Sequence, residues 1–186
     1  MGYPVVLIHG MWCTPKNWDR IIGLLTPRGY DCHAPSLPAH LPGPGQEQQV
    51  GAKSLREYVD FLEDYIRSKN FSQPPIIIGH SMGGFLAQAV AARIKVLALV
   101  LLTPAAPAGI FPLRLKNTFA FLPHFLRWGF WRKAYKLSPA SARKYAYNGL
   151  PAAQQERLYE GLVYESGRVA FELGMWYLDF GGAARI

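Results

Sequence analysis

The apolar positions of this chain fall into two alternating patterns. Val5-Val6-Leu7-Ile8, Ile76-Ile77-Ile78 and Val96 to Leu102 are continuous runs too short for helices, as expected of strands buried on both faces of a sheet. Tyr30 to Ala34 is a shorter candidate of the same kind. Between these runs the apolar residues recur three and four positions apart. Thr14 and Pro15 open a helix on which Trp18, Ile21, Ile22 and Leu25 share a face, and Pro27, Arg28 and Gly29 end it. Ser54 and Glu57 form a capping box ahead of a stripe of Leu55, Tyr58, Phe61, Leu62, Tyr65 and Ile66. Phe85 to Ala92 makes a third helix, built almost wholly of small apolar residues. Four strands alternating with three helices predict an α/β fold with a parallel sheet and right-handed crossovers. Residues 35 to about 52 are too rich in proline and glycine for regular structure, so a loop is expected there.

Beyond residue 110 the pattern turns helical and aromatic. Ser138-Pro139 starts a helix that Asn148-Gly149 ends, Pro151 starts another running to about Val163, and Glu165 to Arg168 reads as the next turn and cap. The division expected is a core over 1–109, a helical cap or lid over 110–180, and a short lead-in to a further strand over 181–186. The charge follows the division. No Asp or Glu occurs from Tyr65 to Gln155, and Arg114, Lys116, Arg127, Arg132, Lys133, Lys136, Arg143 and Lys144 lie among Phe119, Phe121, Phe125, Trp128, Phe130, Trp131 and Tyr135. Much of the net charge of +8 sits there. One reading lines an acyl pocket with the aromatics and solvates the charges; another rests the segment on an anionic lipid surface or draws in an acidic substrate. No nucleic-acid motif accompanies the basic residues.

Cys13 and Cys32 show neither metal-ligand nor redox spacing and read as packing residues in a reducing compartment. Without a basic leader or a stretch of about 18 uncharged apolar residues, a cytoplasmic location is expected. A chain of 186 residues buries about 70% of its unfolded surface without staples.

The chemistry concentrates where the Ile76 run ends, in Gly79-His80-Ser81-Met82-Gly83-Gly84. A serine at the tip of a sharp strand-to-helix turn has its hydroxyl lifted clear of the sheet. Side chains two positions to either side would collide where strand and helix converge, and glycine removes them. The amide of Met82, at the helix N-terminus, then faces the space into which Ser81 projects, where an oxyanion can be stabilised.

Three stretches together, the strand ending in His9-Gly10, Gly79 to Gly84, and Leu102-Thr103-Pro104-Ala105-Ala106-Pro107, resemble the α/β-hydrolase superfamily, in particular its esterase-like and cofactor-free haloperoxidase-like members. The resemblance implies a nucleophilic Ser81, a second oxyanion donor in the backbone of Met11, substrate contacts at Trp12 and His80, and no cofactor or metal. It places His9 as a brace for its loop. It also implies an acid and a histidine on loops after two further strands, so the chain reads as truncated before them, with the last residues leading into the first. His33, His40, His80 and His124 are the imidazoles available as a substitute base. The function expected is a serine hydrolase acting on a small-molecule carboxylic ester with an apolar portion. The alternative is a catalytically inert fragment that binds a ligand or an anionic membrane surface. An unpaired edge at Val96 to Leu102 leads to the further expectation of a homo-oligomer.

Overall fold

The computed structural model describes residues 2–111 and 121–186. The expected strands are present as β1 (Tyr3–Ile8), β2 (Tyr30–His33), β3 (Ile76–His80) and β4 (Ala98–Leu102). They form one parallel sheet in the order β2-β1-β3-β4. Register places Ile8 beside Gly79 and Gly79 beside Leu101, so the ends of three strands meet at one level.

Helices cover the two faces unequally. Val6, Ile8 and Ile77 pack under α3 (Leu55–Ser68) and α4 (Met82–Ala91), with Tyr58, Leu62, Phe85 and Leu86 fully buried between them. Val5 and Leu7 point the other way, onto Trp18 and the partly buried Ile21, Ile22 and Leu25 of α1 (Asp19–Leu25). The α1 side of the sheet is covered at β1 and bare at β4. Leu99 and Leu101 are half-buried against the α4 layer, whereas Val100 and Leu102 are 40% and 41% exposed. This alternation departs from the continuous burial that an unbroken apolar run predicts, because the second face of β4 has no covering element among the described residues.

The capping box of α3 forms as read, Ser54 Oγ accepting from the Glu57 amide at 3.2 Å and Glu57 accepting from the Ser54 amide at 2.8 Å. The loop over 35–52 is less irregular than expected. Gln46–Val50 is a short helix, α2, anchored by the Gln46 side chain, whose amide donates to the carbonyls of Ala39 (2.7 Å) and Tyr164 (3.0 Å) while its oxygen accepts from the Tyr164 N–H (3.0 Å). Those partners lie up to 118 residues away in the chain, beyond the reach of a local reading.

The region after residue 121 is helical with one addition. Glu165–Ser166, read as a turn, is a two-residue strand, β6, paired antiparallel with β5 (Ala134–Tyr135). Ser166 also caps the helix Gly167–Gly174, accepting from the amides of Arg168 and Val169 at 3.1 and 3.3 Å. The helix expected from Ser138 is a single turn, Pro139–Ser141, passing into a π-turn over Ala142–Ala146, and Ala152–Glu160 is the next helix. Residues 181–186 form no strand, and Ala184 tucks into the core. Arg114, Lys116 and Phe119 of the basic aromatic cluster lie outside the described residues. No helix among the described residues is long and apolar enough to cross a membrane.

Candidate active site

Ser81 sits between the last residue of β3 and the first of α4 with φ 54° and ψ −120°. A side-chain-bearing residue at such a φ costs about 1–3 kcal/mol and persists only where the surroundings over-determine it. They do so here. The Ser81 N–H donates to the Leu102 carbonyl at 3.0 Å, and the Ser81 carbonyl accepts from Gly84 (2.9 Å), Phe85 (3.3 Å) and Ala105 (2.8 Å). The turn is thus clamped by the end of β4, by the chain after β4 and by the first turn of α4.

Two glycines make the clamp possible. A Cβ at Gly79 would lie 2.2 Å from the Gly83 carbonyl oxygen, and one at Gly83 would lie 2.2 Å from that of Ile8 and 2.6 Å from that of His9. Strand β3, helix α4 and the end of β1 therefore touch through backbone alone. A Cβ on Gly10 would fall 3.1 Å from Ser81 Cβ, which puts the corner after β1 directly against the serine.

Above the turn is a cavity of about 330 Å³ lined by Ser81, Met11 and the segment Thr103 to Ala106. Phe121, Phe125, Ala170 and Leu173 close it from the helical region beyond residue 121. The walls are mostly apolar. Met82 contributes no side chain to this space, since that side chain is fully buried beneath the turn; its amide begins a helix, where backbone N–H groups have no helical partner. Trp12 and His80 are not among the lining residues. Trp12 packs on Phe121 and edge-on to Tyr135 (5.3 Å), with φ 61° and its carbonyl accepting from the Val163 N–H at 2.8 Å. His80 is exposed, its Nδ1 beside Gly10.

The histidines lie elsewhere. His33 is half-buried on β2, with Nε2 3.0 Å from the Asp31 carboxylate but out of hydrogen-bond alignment. His124 is stacked on Tyr135 at 3.9 Å with both ring nitrogens unpartnered, and burial, helped by Arg127, pushes it down to about 4. His9 and His40 are both buried behind the corner after β1, with ring centres 5.0 Å apart. No imidazole or carboxylate lines the serine cavity among the described residues.

Sequence reading missed Glu165. It is fully buried, and its Oε2 lies 3.0 Å from His40 Nε2 while Oε1 accepts from the Tyr58 hydroxyl (3.1 Å) and the Ser166 N–H (2.7 Å). Burial alone raises a carboxyl, but His40 and the hydrogen bonds outweigh it and hold Glu165 below its ordinary value. No local signal marks this residue, because its partners stand 107 and 125 positions earlier.

Residues 5–182 match the sequence model of the alpha/beta hydrolase family. Among curated relatives, a pyrethroid hydrolase of Sphingobium wenxiniae is 36% identical over 81 residues, covering 43% of this chain and 27% of the relative. A putative esterase/lipase of Mycoplasma pneumoniae is 30% identical over 101 residues, covering 53% and 37%. The matched parts are well under half the length of either relative. Of solved structures, an extracellular alpha/beta-hydrolase from a Paenibacillus species superposes with a TM-score of 0.73 at 22% identity, over 88% of this chain and 66% of the other. Tomato methylketone synthase I superposes at 0.65 with 19% identity, over 89% and 68%. The solved structures speak for the fold, and the family match spans nearly the whole sequence: the chain belongs to the alpha/beta hydrolase family.

Proposed function

We propose that this chain carries the nucleophilic half of a serine hydrolase site and that the reaction is acyl transfer from a carboxylic ester with an apolar portion. In this reading Ser81 Oγ attacks the ester carbonyl, and the carbonyl oxygen, as it gains charge, is held by the amides of Met11 and Met82. The observation that carries the reading is the strained conformation of Ser81 at the head of α4 and at the floor of a cavity. Apolar walls from Met11, Phe121, Phe125 and Leu173 support an apolar acyl or alcohol group. The esterase and hydrolase names of the relatives point the same way.

A serine hydroxyl is a weak nucleophile without a base. Because neither imidazole nor carboxylate lines the cavity among the described residues, the reading assigns the base and its acid partner to groups that the described residues do not bring to Ser81. The same observation favours a second reading, ligand binding without turnover. A fluorophosphonate probe and a short-chain p-nitrophenyl ester separate the two. Labelling and hydrolysis that both vanish in Ser81→Ala support the enzyme. Neither in a folded sample supports the binding module.

A further inference from the structure

The buried polar cluster behind the serine connects, bond by bond, to the peptide unit that bears the Met11 N–H. With Glu165 ionised, as the Tyr58 and Ser166 donors to its Oε1 favour, its Oε2 and the Pro38 carbonyl are both acceptors, and they lie 3.0 and 3.1 Å from the two ring nitrogens of His40. Both nitrogens must therefore carry protons, and His40 is an imidazolium paired with a carboxylate. Each side chain is fully buried.

The loop that His40 closes also carries Leu37, whose N–H donates to His9 Nε2 at 3.2 Å. A nitrogen that accepts is unprotonated, so the His9 proton resides on Nδ1, where it donates to the Gly10 carbonyl at 3.0 Å. That carbonyl receives a second hydrogen bond from the Cys13 N–H at 3.2 Å. Gly10 C=O and Met11 N–H belong to one planar trans peptide and point in opposite directions. Pinning the carbonyl against His9 and Cys13 turns the Met11 N–H away from them, on the residue that lines the Ser81 cavity.

We propose that Glu165, His40 and His9 are positioning residues that set the direction of the Met11 N–H, so that the oxyanion donor is aligned only while the helical region carrying Glu165 is docked on the sheet. The inference deepens the serine hydrolase reading and rests on it for its consequence, not for its geometry. A second tie runs alongside: Val163, two residues before Glu165, donates to the Trp12 carbonyl at 2.8 Å, immediately after Met11. Docking is thus sensed on both sides of the donor. Among the described residues the groups facing the pair are few: Tyr58 from α3, His9 from the corner after β1, and Cys13 and Tyr135, whose ionisation is suppressed by burial and further by the Glu165 charge, with no further cation. The charge on His40 helps keep His9 neutral, in the only state in which it can accept from Leu37.

The test uses the full chain labelled with nitrogen-15. Ring correlation spectra at pH 7 are expected to show His40 protonated on both nitrogens and His9 on Nδ1 alone. Glu165→Ala is expected to remove the His40 imidazolium signature and to shift the Met11 amide resonance, although the Glu165 side chain is hydrogen-bonded to His40, Tyr58 and Ser166 and not to Met11 or His9. Tyr58→Phe removes one donor to the same carboxylate while leaving the pair, and the Met11 resonance is expected to stay in place. Should Glu165→Ala fail to fold, Glu165→Gln keeps the shape and removes the charge, and loss of the imidazolium is expected there too. A neutral His40 or a His9 protonated on Nε2 in the wild type overturns the proposal, as does an unmoved Met11 amide in folded Glu165→Ala. Fluorophosphonate labelling of Ser81 is expected to slow roughly tenfold in Glu165→Ala, a fraction of the effect of deleting an oxyanion donor outright. A wild type that does not label at all counts against the hydrolase reading, and the ring spectra still judge the relay.

Discussion

Replacing Gly83 by alanine puts one methyl group where three elements meet. The new Cβ would lie 2.2 Å from the Ile8 carbonyl oxygen, 2.6 Å from that of His9 and 2.7 Å from the Ile8 carbonyl carbon. Relief to the 3.0–3.4 Å at which real Cβ contacts begin requires a movement of about 1 Å, and every obstructing atom is backbone. Those atoms end β1, which is held in register by β2 on one side and β3 on the other. Overpacking of this kind costs typically 1–3 kcal/mol, and with no flexible side chain to yield, about 3 kcal/mol is expected, a large part of the 5–15 kcal/mol that holds an ordinary domain folded. Guanidinium unfolding followed by circular dichroism measures it. The matched control is Gly23→Ala in α1, where an added Cβ meets nothing within 4 Å; removing a helical glycine stabilises by about 0.5–1 kcal/mol. A Gly83→Ala loss below about 1 kcal/mol would falsify the backbone contact between α4 and the end of β1, and with it the placement of the Gly10 corner against Ser81.

Acid should weaken the fold through His9. Burial and the His40 charge depress it from 6.5 to about 4, so its contribution is complete above pH 6.5 and is lost as pH falls towards 4, by about 3 kcal/mol at 1.36 kcal/mol per unit. His40 is raised, because the Glu165 carboxylate and the acceptors around the ring outweigh burial, so its contribution is complete below 6.5 and is lost as pH climbs through its folded value. Glu165 is lowered and contributes fully above its ordinary 4.5. Together these three groups place maximum stability near pH 6.5, and His9→Asn should make the limb between 6.5 and 4.5 shallower, leaving the share of His124, which is also pushed down to about 4; an unchanged limb by denaturant titration would refute the assignment. Ser166→Ala removes the cap of Gly167–Gly174 and a buried hydroxyl that donates to the Lys53 carbonyl at 2.6 Å, and a loss of about 1–2 kcal/mol is expected in the same unfolding assay. We further propose that two copies pair through the edge of β4 (Ala98–Leu102), the last strand of the sheet. Sedimentation should show association at tens of micromolar, and a stable monomer there would count against it.

The four strands, the helices α1, α3 and α4 between them and the corner at Ser81 were legible in the sequence because each rests on local rules. Strands buried in a parallel sheet are continuous apolar runs, the capping box of α3 closes within four residues, and the paired glycines around Ser81 answer to contacts made within one strand–turn–helix unit. The division of labour among the histidines was not legible. His40 and His124 look alike as isolated imidazoles in polar or aromatic surroundings, yet one is a buried imidazolium and the other is kept neutral against Tyr135. What separates them is a carboxylate 125 residues from His40, delivered by a two-residue strand too short to leave a periodic signature. Short-range stereochemistry is written along the chain and decided the elements and the serine corner. Long-range charge pairing depends on which distant segments share a dry interior, where an unpaired ion is far costlier than in water, and that only the tertiary structure decided.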